Sequence, residues 1–172
     1  RTQDPAEVMR RIWAAPTCEV HGLVGGYHGP GVKTVVPGHG ELKVSMRLVP
    51  NQTPEKAFAL LKKHVAKLNP EVTVEREGML HPFRGVFDGP YVDAVKRAVK
   101  AGFGKEPAFI REGGSIGAEV TMQKAWKVPI LFMGLSLPEH GYHAINENFD
   151  WQQASGGMRM FVDYFERLAK IK

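Results

Sequence analysis

Residues 128–135, VPILFMGL, are almost uninterruptedly apolar over the length of a single strand. A run of this kind is buried on both faces and needs a strand on each side of it. Around it, helix and strand patterns alternate. YVDAVKRAVKAGFG reads as a helix that stops at glycine, PAFIR as a short strand and SIGAEVTMQKAW as a second helix. DWQQASGGMRMFVDYFERLAKI is a final helix with Trp151, Ala154, Met158, Phe161, Phe165 and Leu168 on one stripe. This alternation predicts an α/β layer with largely parallel strands. Two strands are too few to close such a layer. The sheet is therefore expected to draw strands from elsewhere, a first sign that the chain is part of something larger.

The block before it, roughly 17–83, has another rhythm: three strands, a helix, a strand. CEVHGLVGGY is a strand with a glycine-rich end, and VKTVVP and GELKVSMRLVP flank the turn sequence PGHG, which predicts a hairpin. Leu42, Val44, Met46 and Leu48 alternate with Lys43, Ser45 and Arg47, so one face is expected to be buried and Arg47 to point outward. In NQTPEKAFALLKKHVAKLNP, Thr53 caps a helix, Pro54 takes its first turn and Phe58, Leu61, Val65 and Leu68 form its stripe before Asn69 and Pro70 stop it. VTVERE returns as a strand. The expected product is an antiparallel sheet with helix on one face. HPFRGVFDGP, residues 81–90, reads as the connection between two bodies, dividing the chain at 83/84.

A chain of 172 residues has room for one ordinary domain or two small ones, and 43% hydrophobic with 24% charged residues is ordinary for a globular protein. No apolar run approaches the roughly 20 residues that span a bilayer, and RTQDPAEVMRRIWAAPT lacks the apolar stretch of a secretory signal, so no membrane partner is expected. Without an initiator Met, the sequence is expected to be a fragment or a processed chain. Its one cysteine, Cys18, cannot form an internal disulfide. A reducing, cytoplasmic location fits, as would a bacterial secreted enzyme, and TCEVHG places Cys18 on a strand as a small core residue. The net charge of +5 does not gather into a patch: Lys56, Lys62, Lys63 and Lys67 lie on the solvated face of one helix. No RNA-binding or zinc-finger signature accompanies it, so no nucleic-acid partner is expected.

Three stretches carry chemistry. In REGGSI (111–116), two glycines precede Ser115 and a helix start, which is either a simple turn with Ser115 as cap or a site where backbone N–H groups receive an anion. Glu112 suits an amine or a metal better than an anion. In EHGYHAINENF (139–149), two histidines follow an apolar strand. Gly141 argues for a loop at the carboxyl end of that strand, where open α/β sheets bind ligands. The residues alone leave His143 as either a ligand or a surface histidine. Thr34 and Arg47 are expected on neighbouring hairpin strands, with Arg47 either solvating the sheet or clamping a carboxylate bidentately.

Taken in order, GGYHGPGVKTVVP, ELKVSMRLVPNQTPEKA, REGGSI and HAINENFDWQQASGGMRMF resemble the second half of the dinuclear zinc peptidases, a family of cytosolic dipeptidases, carnosine dipeptidases, glutamate carboxypeptidases, aminoacylases and desuccinylases. The resemblance runs from about residue 17 to 170 and is nearest the dipeptidase branch. It implies an α+β lid with an antiparallel sheet and helices over residues 1–83, through which a homodimer forms, and the C-terminal part of an α/β catalytic body over residues 84–172. It implies hydrolysis of dipeptides or related amides with a free C-terminal carboxylate, using two zinc ions that manganese or cobalt could replace. By the same resemblance His143 ligates one zinc, and Arg47 binds the substrate carboxylate in the neighbouring subunit's site. Thr34 lies near that carboxylate, and Glu112, Gly114, Ser115 and His81 contact substrate. Gly117 stands where a proline is usual, which loosens the helix start. The family's other metal ligands and its general base precede these motifs, and no counterpart is found here. The resemblance therefore places no catalytic residue in this chain and expects the isolated chain to be inactive. An N-acyl-amino-acid deacylase, or a non-catalytic dimerising or complementing fragment, are the alternatives.

Overall fold

The computed structural model describes residues 2–111 and 116–171. These fall into two compact units, Arg1–Phe83 with Arg111–Val120, and Arg84–Ile110 with Thr121–Lys172. The chain is mixed helix and sheet, with a small antiparallel sheet.

In the first unit, helix α1 spans Pro5–Ala14. The sequence reading passed over it, although its start is signalled: Asp4 accepts the Ala6 N–H, Pro5 takes the first turn, and Glu7 accepts from Arg10 and Arg11 one turn on. Strands β1 (Thr17–Gly25) and β2 (Gly40–Arg47) pair antiparallel, from Thr17 opposite Arg47 to Gly25 opposite Gly40. The register slips between Val20 and Gly22, leaving His21 as the extra residue of a bulge that bends and twists the pair. The partner of β2 is thus β1 and not VKTVVP. Residues 26–39 form the connection, with Val32, Val35 and Val36 exposed. The alternation expected in β2 holds for Val44 and Met46, which are half-buried, while Leu42 is exposed. Cys18 is exposed, against the expectation of a core residue, because both faces of a two-stranded ribbon stay largely open.

Helix α2 (Pro54–Leu68) forms as its caps dictate, Thr53 Oγ1 accepting the Lys56 N–H and the Asn69 N–H returning to Val65. Phe58, Leu61 and Val65 are half-buried and Leu68 is exposed. Among the described elements the closely apposed pairs are β1 with β2 and, in the second unit, two helices. The expected cover of the sheet by α2 is not among them. Residues 72–77, read as a returning strand, are not paired into a sheet.

The core of the second unit is the contact between α3 (Pro90–Phe103) and α5 (Trp151–Leu168). Ala94, Val95 and Ala98 of α3 meet Met160 and Tyr164 of α5, all buried, and Val92 of α3 is buried as well. The packed face of α5 is only in part the expected apolar stripe, with Phe161 and Leu168 half-buried against the core. Gly156, Gly157, Met160 and Tyr164 are buried, whereas Trp151, Met158 and Phe165 are exposed. Backbone proximity explains the rotation. A Cβ on Gly102 would stand 2.5 Å from the Gly156 carbonyl oxygen, and one on Gly156 would stand 2.5 Å from the Phe103 ring. The helices approach more closely than any side chain allows at those positions, so the glycine face turns inward. Arg159 Nη2 then donates to the Gly102 carbonyl at 3.2 Å, satisfying an acceptor at the end of α3.

Residues 128–135 form no ladder, and neither do 107–111; the two strands expected in this half are not paired among the described residues. A strand is defined by its neighbours, and no ladder partner for these segments is found among the described residues. The strand-like alternation survives nonetheless. Leu131, Met133 and Leu135 pack on the helix pair while Phe132 between them is 56% exposed. Helix α4 spans Gly117–Trp126, within the helix read from SIGAEVTMQKAW. No helix among the described residues is long and apolar enough to cross a membrane.

Candidate metal and substrate site

Between the 131–137 segment and α5, Pro138–His140 make one 3₁₀ turn, ended by Gly141 in the left-handed conformation at φ 61°. Two further residues of this loop, His143 and Asn146, also have φ 64°. Left-handed backbone at residues with a Cβ costs on the order of 1–3 kcal/mol each and persists only where the surroundings impose it. Such positions gather at functional sites.

His140 supplies much of that imposition. Its side chain is 2% exposed. Nδ1 accepts the Leu137 N–H at 3.0 Å, so Nε2 carries the proton and donates it to Asp150 Oδ2 at 2.7 Å. Its ring meets Phe149 edge-on at 5.3 Å, and its carbonyl accepts the Asn148 N–H at 3.0 Å. Asp150 has a second task, since its Oδ1 accepts the Gln153 N–H at 2.9 Å and so caps α5. The Gln153 N–H, and after it the His140 ring, hold the Asp150 carboxyl below the usual carboxylate range. A depressed carboxyl contributes stability that is present above its unfolded value and is lost as pH falls through its folded value. Acidification below about pH 4 is therefore expected to release the loop, seen as movement of the Asn148 and Gln153 amide resonances, with an Asp150→Ser variant lacking the His140 component of that transition.

His143 is exposed, and its ring makes no hydrogen bond among the described residues, meeting only the Tyr142 ring edge-on at 5.9 Å. Both ring nitrogens are available to a metal, and the neutral imidazole is a suitable ligand for zinc. The fit extends to one ligand. Among the described residues no three His, Cys, Asp or Glu side chains cluster so as to hold an ion.

The other sequence-derived site residues lie on separate elements. Arg47 is the exposed last residue of β2, opposite Thr17. Thr34 is not on a strand. It is the centre of a three-residue turn in which the Val35 N–H returns to the Lys33 carbonyl at 3.0 Å. His81 follows the 72–77 segment and faces Glu55 of α2, with Nε2 3.6 Å from Oε1. Glu112, Gly114 and Ser115 lie outside the described residues. The sequence reading singled out neither Asp150 nor the buried role of His140. The available signal was Asp150 before Trp-Gln-Gln, an N-cap at the head of an amphipathic run.

Residues 1–73 match the family model described as a peptidase dimerisation domain. Over its length the chain is 32% identical to the Cys-Gly metallodipeptidase of Schizosaccharomyces pombe, covering 98% of this chain and 37% of that protein. It is 29% identical to the Beta-Ala-His dipeptidase of Homo sapiens, covering 96% of this chain and 34% of the relative. A crystal structure of an M20 family metallo-carboxypeptidase from Sulfolobus solfataricus superposes with a TM-score of 0.88 at 27% identity, covering 99% of this chain and 40% of that one. The chain is a homologue of the M20 metallopeptidases. The resemblance carried by the four motifs is thus homology along almost the whole chain. The α/β fold class is shared with the M20 peptidases of known structure. The chain spans little more than a third of the length of the curated relatives it matches. M20 metallopeptidases are metal-dependent hydrolases, so a divalent metal belongs to the family's chemistry.

Proposed function

We propose that the full-length protein carrying this chain is a zinc-dependent dipeptidase that hydrolyses a peptide or related amide bond next to a free C-terminal carboxylate. The observation that supports this most is His143, an exposed imidazole without a hydrogen-bond partner among the described residues, on a loop held in left-handed backbone. The relatives named as Cys-Gly metallodipeptidase and Beta-Ala-His dipeptidase support the substrate class. A bound zinc polarises a scissile carbonyl and lowers the pKa of a water near it.

The chain's own part is to hold and orient. His143 contributes one zinc ligand, with the remaining ligands and the general base lying outside the described residues. Arg47 receives the substrate carboxylate through its planar fork, in the site of the neighbouring subunit of a homodimer. Thr34 lies near that carboxylate, and Glu112, Gly114, Ser115 and His81 contact the substrate. Residues 1–83 serve as the lid and dimerisation part and 84–172 as the catalytic part. The boundary between units at 83/84 and the dimerisation match over 1–73 favour this division, while residues 111–120 group with the first unit. The lone exposed thiol of Cys18 suits a cytoplasmic setting.

The deciding experiment is the metal content and oligomeric state of the full-length protein, with a dipeptide hydrolysis assay beside it. About two zinc ions per subunit, a dimer and turnover support the reading; a metal-free, inactive protein overturns it and leaves a dimerising module. Within that assay, Arg47→Ala is expected to cost about 1.5–3 kcal/mol in kcat/KM on dipeptides, the worth of hydrogen bonds to a charged group, with zinc content unchanged. Loss of zinc along with activity would defeat the assignment of Arg47.

A further inference from the structure

Residues 140–150 close on themselves. Beyond the His140 ring to Asp150, the Asn148 side-chain amide adds a contact of 3.4 Å to the carbonyl of His140, and a turn from the Ala144 N–H to the Gly141 carbonyl at 2.9 Å shapes the crest. His143 sits at that crest, its backbone held by contacts made at the base. We propose that His140 and Asp150 are positioning residues for His143: a clasp between the buried His140 imidazole and the half-exposed Asp150 carboxylate that fixes the path of the loop so that the His143 ring is ordered before metal arrives. This rests on the reading of His143 as a metal ligand.

The two ends of the clasp are anchored by different means, which makes it rigid. His140 is fixed by the Leu137 N–H on one nitrogen and by Asp150 on the other, and its tautomer is set by the first of these. Asp150 is fixed by the Gln153 N–H at the head of α5. His140 is not available to the metal, because both its nitrogens are already engaged and its side chain is 2% exposed, and both Asp150 oxygens already accept a hydrogen bond. Their effect on metal therefore passes through His143. With the clasp open, metal binding has to order the loop as well as form the bond, which lowers affinity without touching the groups that hold substrate.

The test uses the full-length protein and zinc ion, with zinc affinity read by chelator competition. Asp150→Ser keeps a residue that caps helices as well as aspartate does, and removes the acceptor for His140. His140→Phe keeps a ring in place and removes both hydrogen bonds. Each is expected to weaken zinc at one site by about tenfold, the low end for outer partners of a metal ligand. The double variant is expected to be no worse than either single one, since the pair acts as a unit. At limiting zinc kcat falls with KM unchanged, and buffered zinc at higher concentration restores kcat. Wild-type zinc affinity in both variants overturns the proposal, whatever happens to melting temperature. His143→Ala separates the two readings. If it loses one zinc while Asp150→Ser binds normally, the clasp fails alone; if it keeps both zinc ions, the ligand reading fails and the clasp with it.

Discussion

Replacing His143 with alanine in the full-length protein is expected to remove one of two zinc ions and to lower kcat/KM by more than about 100-fold. That bound is the upper end of the loss when an outer partner of a metal ligand is removed, and a direct ligand should exceed it. Little of the loss should come from misfolding. The side chain is exposed, makes no hydrogen bond among the described residues and touches one ring, that of Tyr142. Alanine in left-handed backbone is no easier than histidine, so the loop gains no relief from the change. Zinc content by mass spectrometry of the intact protein and melting of the metal-free form separate the two contributions. Unchanged zinc with full activity would return His143 to the class of surface histidines.

Met160→Ala is expected to destabilise the second unit by about 2–5 kcal/mol, a large share of the stability of an ordinary domain. Met160 is 1% exposed and lies where α5 crosses α3, among Ala94, Val95, Ala98 and Tyr164. Collapse into the vacated volume is blocked, because Gly102 and Gly156 already bring the two backbones to their closest approach. The cost should therefore fall toward the upper end of that range, where cavities persist. Denaturant unfolding followed by circular dichroism measures it. A loss under about 1 kcal/mol would mean that the helices can still close up.

Apart from α1, the helices were the legible part of this sequence. Thr53-Pro54 and Gly104 mark ends that the structure keeps, because a cap is a local event decided within a few residues. The strands were not. VPILFMGL has the composition and alternation of a strand, and Leu131, Met133 and Leu135 do pack on α3 and α5. A ladder, however, depends on a neighbour that no local pattern names, and the same gap sent VKTVVP to the wrong partner for β2. The face of α5 was legible only in part, through Phe161 and Leu168, for another reason. An apolar stripe reports what a helix would bury against a generic neighbour, whereas Gly156 and Gly157 report how near this neighbour comes. At the site, motif order led to His143, but not to the clasp beneath it. His140 and Asp150 are ten residues apart, and only the folded loop joins them.

The two compact units are each discontinuous, since the described residues of 111–120 return to the first unit after 84–110 have entered the second. On the ribosome the first unit thus cannot finish assembling when residue 83 emerges; it waits for a segment made almost forty residues later. A gene split after Phe83 would separate α1, β1, β2 and α2 from that segment and leave the first product incomplete. Reconstitution from two polypeptides would have to place the break elsewhere, and the long exposed connection at 26–39, already crossing from β1 to β2 within a single unit, is the more forgiving place for it.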